Sequence, residues 1–256
     1  MQSMRLGIVG KGGVGKTTVA GLVARAYVEQ GRSVVAIDTD SNPNLGLSLG
    51  LSLAETEAIP VLPRSLIVGS GGSTTAAELI SEFGRVTPAG PTLLSAIKVA
   101  QAGAGCTCGG HATVRGILAD ALADVDVVLV DMEAGLEHLS RSGGTLAYAD
   151  ALLVVCEPTR KSALTATRTA ALAAELGIPA TLAVGNKAKS SDDADFFAAA
   201  LNRDGLRLAA VVPYDQDIAQ ADRAGTLAAV TIPPALAQAV DEILAAVSDT
   251  VGAVAR

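Results

Sequence analysis

Nine residues near the N-terminus, Gly10-Lys11-Gly12-Gly13-Val14-Gly15-Lys16-Thr17-Thr18, constrain the fold more than any other stretch of the chain. An apolar, strand-like run at residues 6–9 precedes them, and an amphipathic helical pattern at 17–30 follows. Gly10, four residues, Gly15, Lys16 and Thr17 have the spacing of a P-loop. Glycine lets successive backbone N–H groups, here those of Gly12, Gly13, Val14 and Gly15, turn inward onto phosphate oxygens. The helix N-terminus adds its partial positive charge. Lys16 is placed to reach the β- and γ-phosphates, and the Thr17 hydroxyl to ligate Mg²⁺. Read from Gly10, the same residues also satisfy the dinucleotide pattern G-x-G-x-x-G, but Lys16-Thr17 would have no purpose in a dinucleotide fold.

Apolar runs at 5–9, 33–38, 125–131, 151–156, 180–185 and 208–212 read as strands. Helical patterns at 17–30, 112–122, 161–176 and 194–201 lie between most of them, and Gly31 and Gly177 stand where two of these helices should stop. This alternation implies an α/β fold, a doubly wound and mainly parallel sheet flanked by helices. Half of the 256 residues are hydrophobic and only 2% aromatic, so the core must be built from Ala, Val, Leu and Ile, as suits buried parallel strands. We read residues 1–256 as one P-loop domain. The Gly-, Ser-, Thr- and Pro-rich interval 45–110 reads as an insertion, with helical candidates at 45–53 and 74–83 and a strand near 92–97. Residues 234–247 read as a terminal helix.

A formal charge of −7 argues against a broad nucleic-acid footprint. The N-terminus lacks a signal-peptide apolar region, and the apolar stretch 224–240 contains Pro233 and Pro234, which argues against a membrane span. A cytoplasmic protein with no nucleic-acid or membrane partner is the expectation.

Acidic residues end two of the strands. Asp131 closes the run 125–131, where a P-loop fold places a Mg²⁺-associated acid, and the Gly135 amide in Asp131-Met132-Glu133-Ala134-Gly135 could approach a γ-phosphate. Asp38 and Asp40, in Asp38-Thr39-Asp40-Ser41-Asn42-Pro43-Asn44, could order Mg²⁺ waters and orient an attacking water. Asn186-Lys187-Ala188-Lys189 suggests a base-recognition loop. A guanine reader would want an acid near position 189, and Lys189 has the wrong sign, so adenine is preferred with Asn186 as the contact.

Three cysteines do not make a secreted disulfide framework. Cys106 and Cys108, in Gly105-Cys106-Thr107-Cys108-Gly109-Gly110, are too close in sequence to bond each other readily. Two ligands do not complete a tetrahedral site, but a two-fold dimer would supply the missing pair. Soft thiolates favour Zn²⁺ or Ni²⁺. The alternative is two incidental cysteines in a loop. His111 reads as a helix cap before it reads as a further ligand, Cys156 as a packing residue in its strand, and His138 equally as a relay or a surface residue.

Lys11, a second lysine within the loop, resembles the deviant P-loop of the ATPases related to MinD, ParA, the nitrogenase iron protein and the tail-anchored-protein targeting ATPase. That resemblance implies that Lys11 reaches across an ATP-bound homodimer to the partner's nucleotide. Within the class the chain looks most like the CooC-type ATPases, which mature nickel-containing carbon monoxide dehydrogenase. The likeness rests on Cys106-Thr107-Cys108, on Asp131-Met132-Glu133-Ala134-Gly135-Leu136-Glu137-His138-Leu139 and on Val212-Pro213-Tyr214-Asp215. It spans residues 10–215 and implies Mg²⁺-dependent hydrolysis of ATP to ADP, with Lys11, Lys16, Asp40 and Asp131 catalytic and Asp40 orienting the hydrolytic water. Thr18 would contact the α-phosphate, and Asn186, Lys187, Pro213, Tyr214 and Asp215 would surround the adenine. Thr17 and, through water, Asp38 would hold Mg²⁺, while Cys106 and Cys108 would hold one Ni²⁺ or Zn²⁺ between protomers for a client metalloenzyme. In one departure Ser41 stands where the class usually has Pro directly after the second Asp, which bears on the rigidity of Asp40.

Two other readings stay open at this stage. A ParA- or MinD-like positioning ATPase would want a basic amphipathic tail or basic clusters, whereas the C-terminal segment carries Asp241, Glu242 and Asp249. An iron–sulfur ATPase like the nitrogenase iron protein would want a second cysteine beyond the Asp131 loop, and residues 127–148 contain none.

Overall fold

The computed structural model describes residues 3–63, 75–97, 124–134, 146–203 and 205–254, together with residues 114, 117 and 122. Its strands are β1 (Met4–Gly10), β2 (Val34–Asp38), β3 (Arg85–Val86), β4 (Thr92–Ser95), β5 (Val127–Asp131), β6 (Ala151–Cys156), β7 (Thr181–Ala188) and β8 (Leu208–Pro213). They form one eight-stranded sheet in the order β3-β4-β2-β5-β1-β6-β7-β8. Every pairing is parallel except β3 with β4. The central strands β5 and β6 are short, Val-rich and fully buried, as a parallel sheet covered by helices requires.

Each face of the sheet carries its own apolar layer, because successive strand residues point to opposite sides. Leu6, Ile8, Leu153 and Val155 pack beneath helices α1 (Lys16–Glu29), α2 (Leu45–Ser48), α7 (Gln216–Ala224) and α8 (Pro234–Val254). Val9, Leu152, Val154 and Cys156 pack beneath α4 (Ala76–Phe83), α5 (Arg160–Glu175) and α6 (Ser191–Asn202). Between these, α3 (Leu53–Glu57) is a short helix held by a Ser52/Glu55 capping box.

The expected strands and helices recur with shifts of a few residues. The single candidate at 45–53 is divided into α2 and α3, because Gly50, Leu51 and Ser52 leave helical geometry and Ser52 caps the second piece. The interval read as an insertion contributes directly to the sheet, since β4 pairs with β2 and β3 with β4. The expected helix at 112–122 lies outside the described residues except for Val114, Ile117 and Leu122, which are buried in the α4–α6 layer. The terminal helix runs on to Val254, with Pro234 in its first turn, where a missing N–H costs nothing. Among the described residues, no helix is long and apolar enough to cross a membrane.

The carboxyl ends of β1, β2, β5, β6, β7 and β8 share one edge of the sheet, and the loops at that edge carry the candidate site residues. Phe197, fully buried on α6, anchors that helix to the sheet. Phe197→Ala is expected to destabilise the fold by about 3–5 kcal/mol and lower Tm by roughly 10 °C, measured by calorimetry. A shift below roughly 3 °C would mean that α6 is not part of the cooperative core.

Candidate functional site

The loop between β1 and α1 is shaped from beneath. A Cβ at Gly10 would collide with the Val155 carbonyl oxygen on β6, so only glycine lets the chain leave β1 here. Gly15 has φ 93° and forms the N-cap of α1 without any side-chain cap. The first amides of α1 are therefore left for an external acceptor, the usual basis of an anion site at a helix N-terminus.

Two side chains from β7 brace the loop. Asn186 Nδ2 donates to the Val14 carbonyl at 2.8 Å, and Lys187 Nζ donates to the Gly13 carbonyl at 2.5 Å. A peptide plane points its N–H opposite to its C=O. Fixing these two carbonyls toward β7 therefore aims the Val14 and Gly15 amides the other way. Lys187 sits in an irregularity of the β7–β8 pairing with φ 62°, the only positive φ among described non-glycine residues. Such left-handed geometry is uncommon outside glycine and clusters at functional sites.

Asp38 and Asp131 end neighbouring strands in direct register. Both are buried, at 1% and 2% exposure. Burial lifts the Asp38 pKa to about 6, against hydrogen bonds from the Leu45 and Asp40 amides at 2.9 and 3.0 Å. Burial and the neighbouring Asp38 lift Asp131 to about 8, with the Thr17 side chain and Lys16 opposing. Asp131 Oδ1 is buried with no hydrogen-bond partner among the described residues. Lys16, 8% exposed, is a compensating cation. Burial pulls its pKa down, and Asp131, Asp40 and Glu133 push it back only in part.

Next to the loop, Gly15, Thr18, Asn186, Lys187, Pro213, Tyr214 and Asp215 line a cleft of about 250 Å³. The sequence motifs at 186–187 and 213–215 therefore meet beside the P-loop. Three of these residues, Asn186, Lys187 and Asp215, have structural duties besides any contact with a base. With its Nδ2 engaged by Val14, Asn186 has its amide oxygen to offer, which suits an exocyclic amino group. Asp215 Oδ1 accepts from the Ile218 amide and caps α7. Lys189 sits over the exposed Tyr214 ring, 5.3 Å from its centroid. A groove of about 370 Å³ between α5 and α6, lined by Arg160, Leu164, Phe196 and Arg203, lies apart from these residues.

Several features were not anticipated from the sequence. Helix α7 was missed, and with it Asp222, whose carboxylate accepts weakly from Thr18 Oγ1 at 3.4 Å and Ser48 Oγ at 3.3 Å. Ser41 Oγ donates to Glu133 Oε1 at 2.7 Å. Only proximity in the fold could reveal these pairs. Lys11 is exposed, and its carbonyl receives the Lys16 ammonium at 3.4 Å. Gly135, Cys106, Cys108, His111 and His138 lie outside the described residues. Cys156 is fully buried in β6, and burial pushes its thiol up to about 12.

A phosphate-binding loop at the carboxyl edge of a parallel sheet, flanked by strand-ending acids, defines a P-loop ATPase. Residues 8–228 match the CobQ/CobB/MinD/ParA nucleotide-binding domain, and the chain belongs to that family. It is 37% identical to the carbon monoxide dehydrogenase accessory protein CooC of Rhodospirillum rubrum, over 97% of this chain and 98% of that protein. The fold is similar to that of the Pyrococcus furiosus cell division ATPase MinD, with TM-score 0.70 and 23% identity, covering 96% of this chain and 99% of that one. It also resembles MinD of Pyrococcus horikoshii solved with Mg-ADP, with TM-score 0.69 and 21% identity over the full length of both chains.

The acid pair sets a pH dependence. An acid whose folded pKa exceeds its unfolded value contributes stability that is complete below the unfolded value and lost as pH rises through the folded one. The window runs from 3.8 to about 6 for Asp38 and from 3.8 to about 8 for Asp131. Between about pH 6 and about pH 8 the ligand-free protein should therefore lose up to about 1.4 kcal/mol per pH unit through Asp131. That corresponds to roughly 3 °C in Tm per unit. Asp131→Asn should flatten the slope in thermal melts, and equal slopes in both proteins would contradict the assignment.

Proposed function

We propose that this chain is a dimerising metallochaperone ATPase, which uses ATP to load or release a Ni²⁺ or Zn²⁺ cargo for a client such as a nickel carbon monoxide dehydrogenase. The near full-length likeness to CooC carries the reading. The exposed Lys11 and the Cys106-Thr107-Cys108 motif are consistent with it. A cytoplasmic location fits, because cargo thiolates must stay reduced.

ATP enters with its phosphates on the P-loop amides and the N-terminus of α1, and its base in the cleft of Asn186 and Tyr214. Lys16 follows the β- and γ-phosphates and exchanges its buried acid partners for phosphate oxygens. Asp131 Oδ1, unpartnered among the described residues, and the neighbouring Thr17 and Asp38 oxygens are hard donors that fit Mg²⁺ and would hold it. A Mg²⁺ ion held there would supply charge neutralisation to the phosphates. Asp40 orients the attacking water, and the Gly135 amide meets the γ-phosphate. Lys11 reaches the partner's nucleotide, which makes ATP binding and dimerisation one equilibrium. Closure brings two Cys106/Cys108 pairs together as four thiolates around one metal ion.

Lys16→Gln should cut ATP hydrolysis by at least about 100-fold, a loss of roughly 3 kcal/mol of transition-state stabilisation. Lys11→Ala should abolish the mass shift to a dimer seen by light scattering with a non-hydrolysable ATP analogue.

Metal analysis of the dimer should give one Ni²⁺ or Zn²⁺ per two chains, lost in Cys106→Ser and in Cys108→Ser. The Cys106→Ser/Cys108→Ser protein should show no native thiol reactivity at about pH 8, because Cys156 stays protonated and buried. Unchanged metal content in both single variants would refute the cargo site.

A further inference from the structure

The loops after β2 and β5 stay joined beyond the ends of their strands. Asp38 faces Asp131 in register. One residue further, the Thr39 amide and hydroxyl both donate to the Asp131 carbonyl, at 3.0 and 2.9 Å. Two residues further, Ser41 Oγ donates to Glu133 Oε1 at 2.7 Å. A hydrogen bond to a carboxylate is roughly twice as strong as a neutral one.

Asp40 lies between these two anchors. Its amide donates to Asp38 Oδ1 at 3.0 Å, and its carboxylate accepts from the Asn42 amide at 2.9 Å. The first ties Asp40 to the end of β2 and the second lies within its own loop, so neither reaches the loop after β5. Its place relative to β5 is set by Thr39 on one side and Ser41 on the other. Thr39 is fully buried and its backbone amide holds it, whereas Ser41 is half-buried and its cross-loop bond is made by its hydroxyl. A proline at position 41 would restrict the loop through its fixed φ. Serine lacks that restraint, and the cross-loop bond replaces it.

We propose that Ser41 and Glu133 are positioning residues for ATP hydrolysis, a clasp that ties the two loops together and holds Asp40 over the phosphate site. Glu133 also faces Lys16 electrostatically, so the clasp keeps this acid beside the loop lysine. The inference rests on the reading of the site as one that hydrolyses ATP.

The test is steady-state ATP hydrolysis with a separate binding measurement on a fluorescent ATP analogue. Ser41→Ala and Glu133→Ala should each lower kcat about tenfold, a misplacement effect, and leave KM and analogue affinity within about twofold. Ser41→Thr and Glu133→Gln, which keep a donor and an acceptor, should recover at least about half of the rate. The double alanine variant should be no slower than the slower single one, since both remove the same contact. Melting curves identify any variant that has lost its fold, and the Thr and Gln variants then decide through their rates. Multiplicative losses in the double variant, a wild-type rate in Ser41→Ala or a faster rate in either alanine variant would overturn the clasp. Wild-type protein that binds the analogue without hydrolysing ATP would overturn the functional reading itself, and the clasp with it.

Discussion

Two buried carboxyls held side by side by strand register are the constraint on which the rest of the site depends. Asp38 and Asp131 cannot move apart without breaking the β2–β5 pairing, and neither reaches bulk water. The surrounding residues offset that cost. The Leu45 and Asp40 amides serve Asp38, the Thr17 side chain serves Asp131, and Lys16 is drawn inside against its own desolvation. The compensation is partial, as the unpartnered Asp131 Oδ1 shows. A low-dielectric cluster left in this state favours a ligand that brings both cations and anions, and Mg²⁺ with a polyphosphate does so.

The P-loop depends on a second support that is remote in sequence. Its glycines permit the turn, but the carbonyls of Gly13 and Val14 are fixed by Lys187 and Asn186 from the far side of the cleft. Two residues that line the cleft thus also hold the phosphate loop. Lys187 has its left-handed φ where the β7–β8 pairing is irregular, and its side chain reaches the loop after β1. A base in the cleft and phosphates on the loop therefore bear on the same few side chains.

Much of this was legible in the sequence, for physical reasons. Buried parallel strands are continuous apolar runs, so β1, β2, β5, β6, β7 and β8 stood out, and the glycine-lysine-threonine spacing marked the loop that follows β1. The edge was less legible: a strand was expected near 92–97, but its Gly-, Ser- and Pro-rich surroundings suggested an insertion, so neither the pairing of β4 with β2 nor β3 was foreseen. Helix α7 is short and polar, with Ile218 and Ala221 as its buried face, too little for periodicity to mark it. Asn186 was expected at the base and also braces the loop, a duty visible only once the end of β7 is brought, across β6, to the loop after β1. Ser41 registered as a missing proline, while its partner Glu133 sits 92 residues away and only the strand register brings them together.

That register also explains why a change at position 41 need not loosen the site. A parallel pair fixes the direction in which both chains leave the sheet, so the first residues of each loop are neighbours whatever their identity. A proline restrains such a loop within its own backbone, and the restraint is independent of the other strand. Ser41 transfers the restraint to Glu133, on the loop that also carries the Gly135 amide expected at the γ-phosphate. A displacement of either loop is then felt by the other. Asp40 and the β5 loop consequently share one mechanical unit, and in the proposed cycle a change at the γ-phosphate would reach both loops together rather than one at a time.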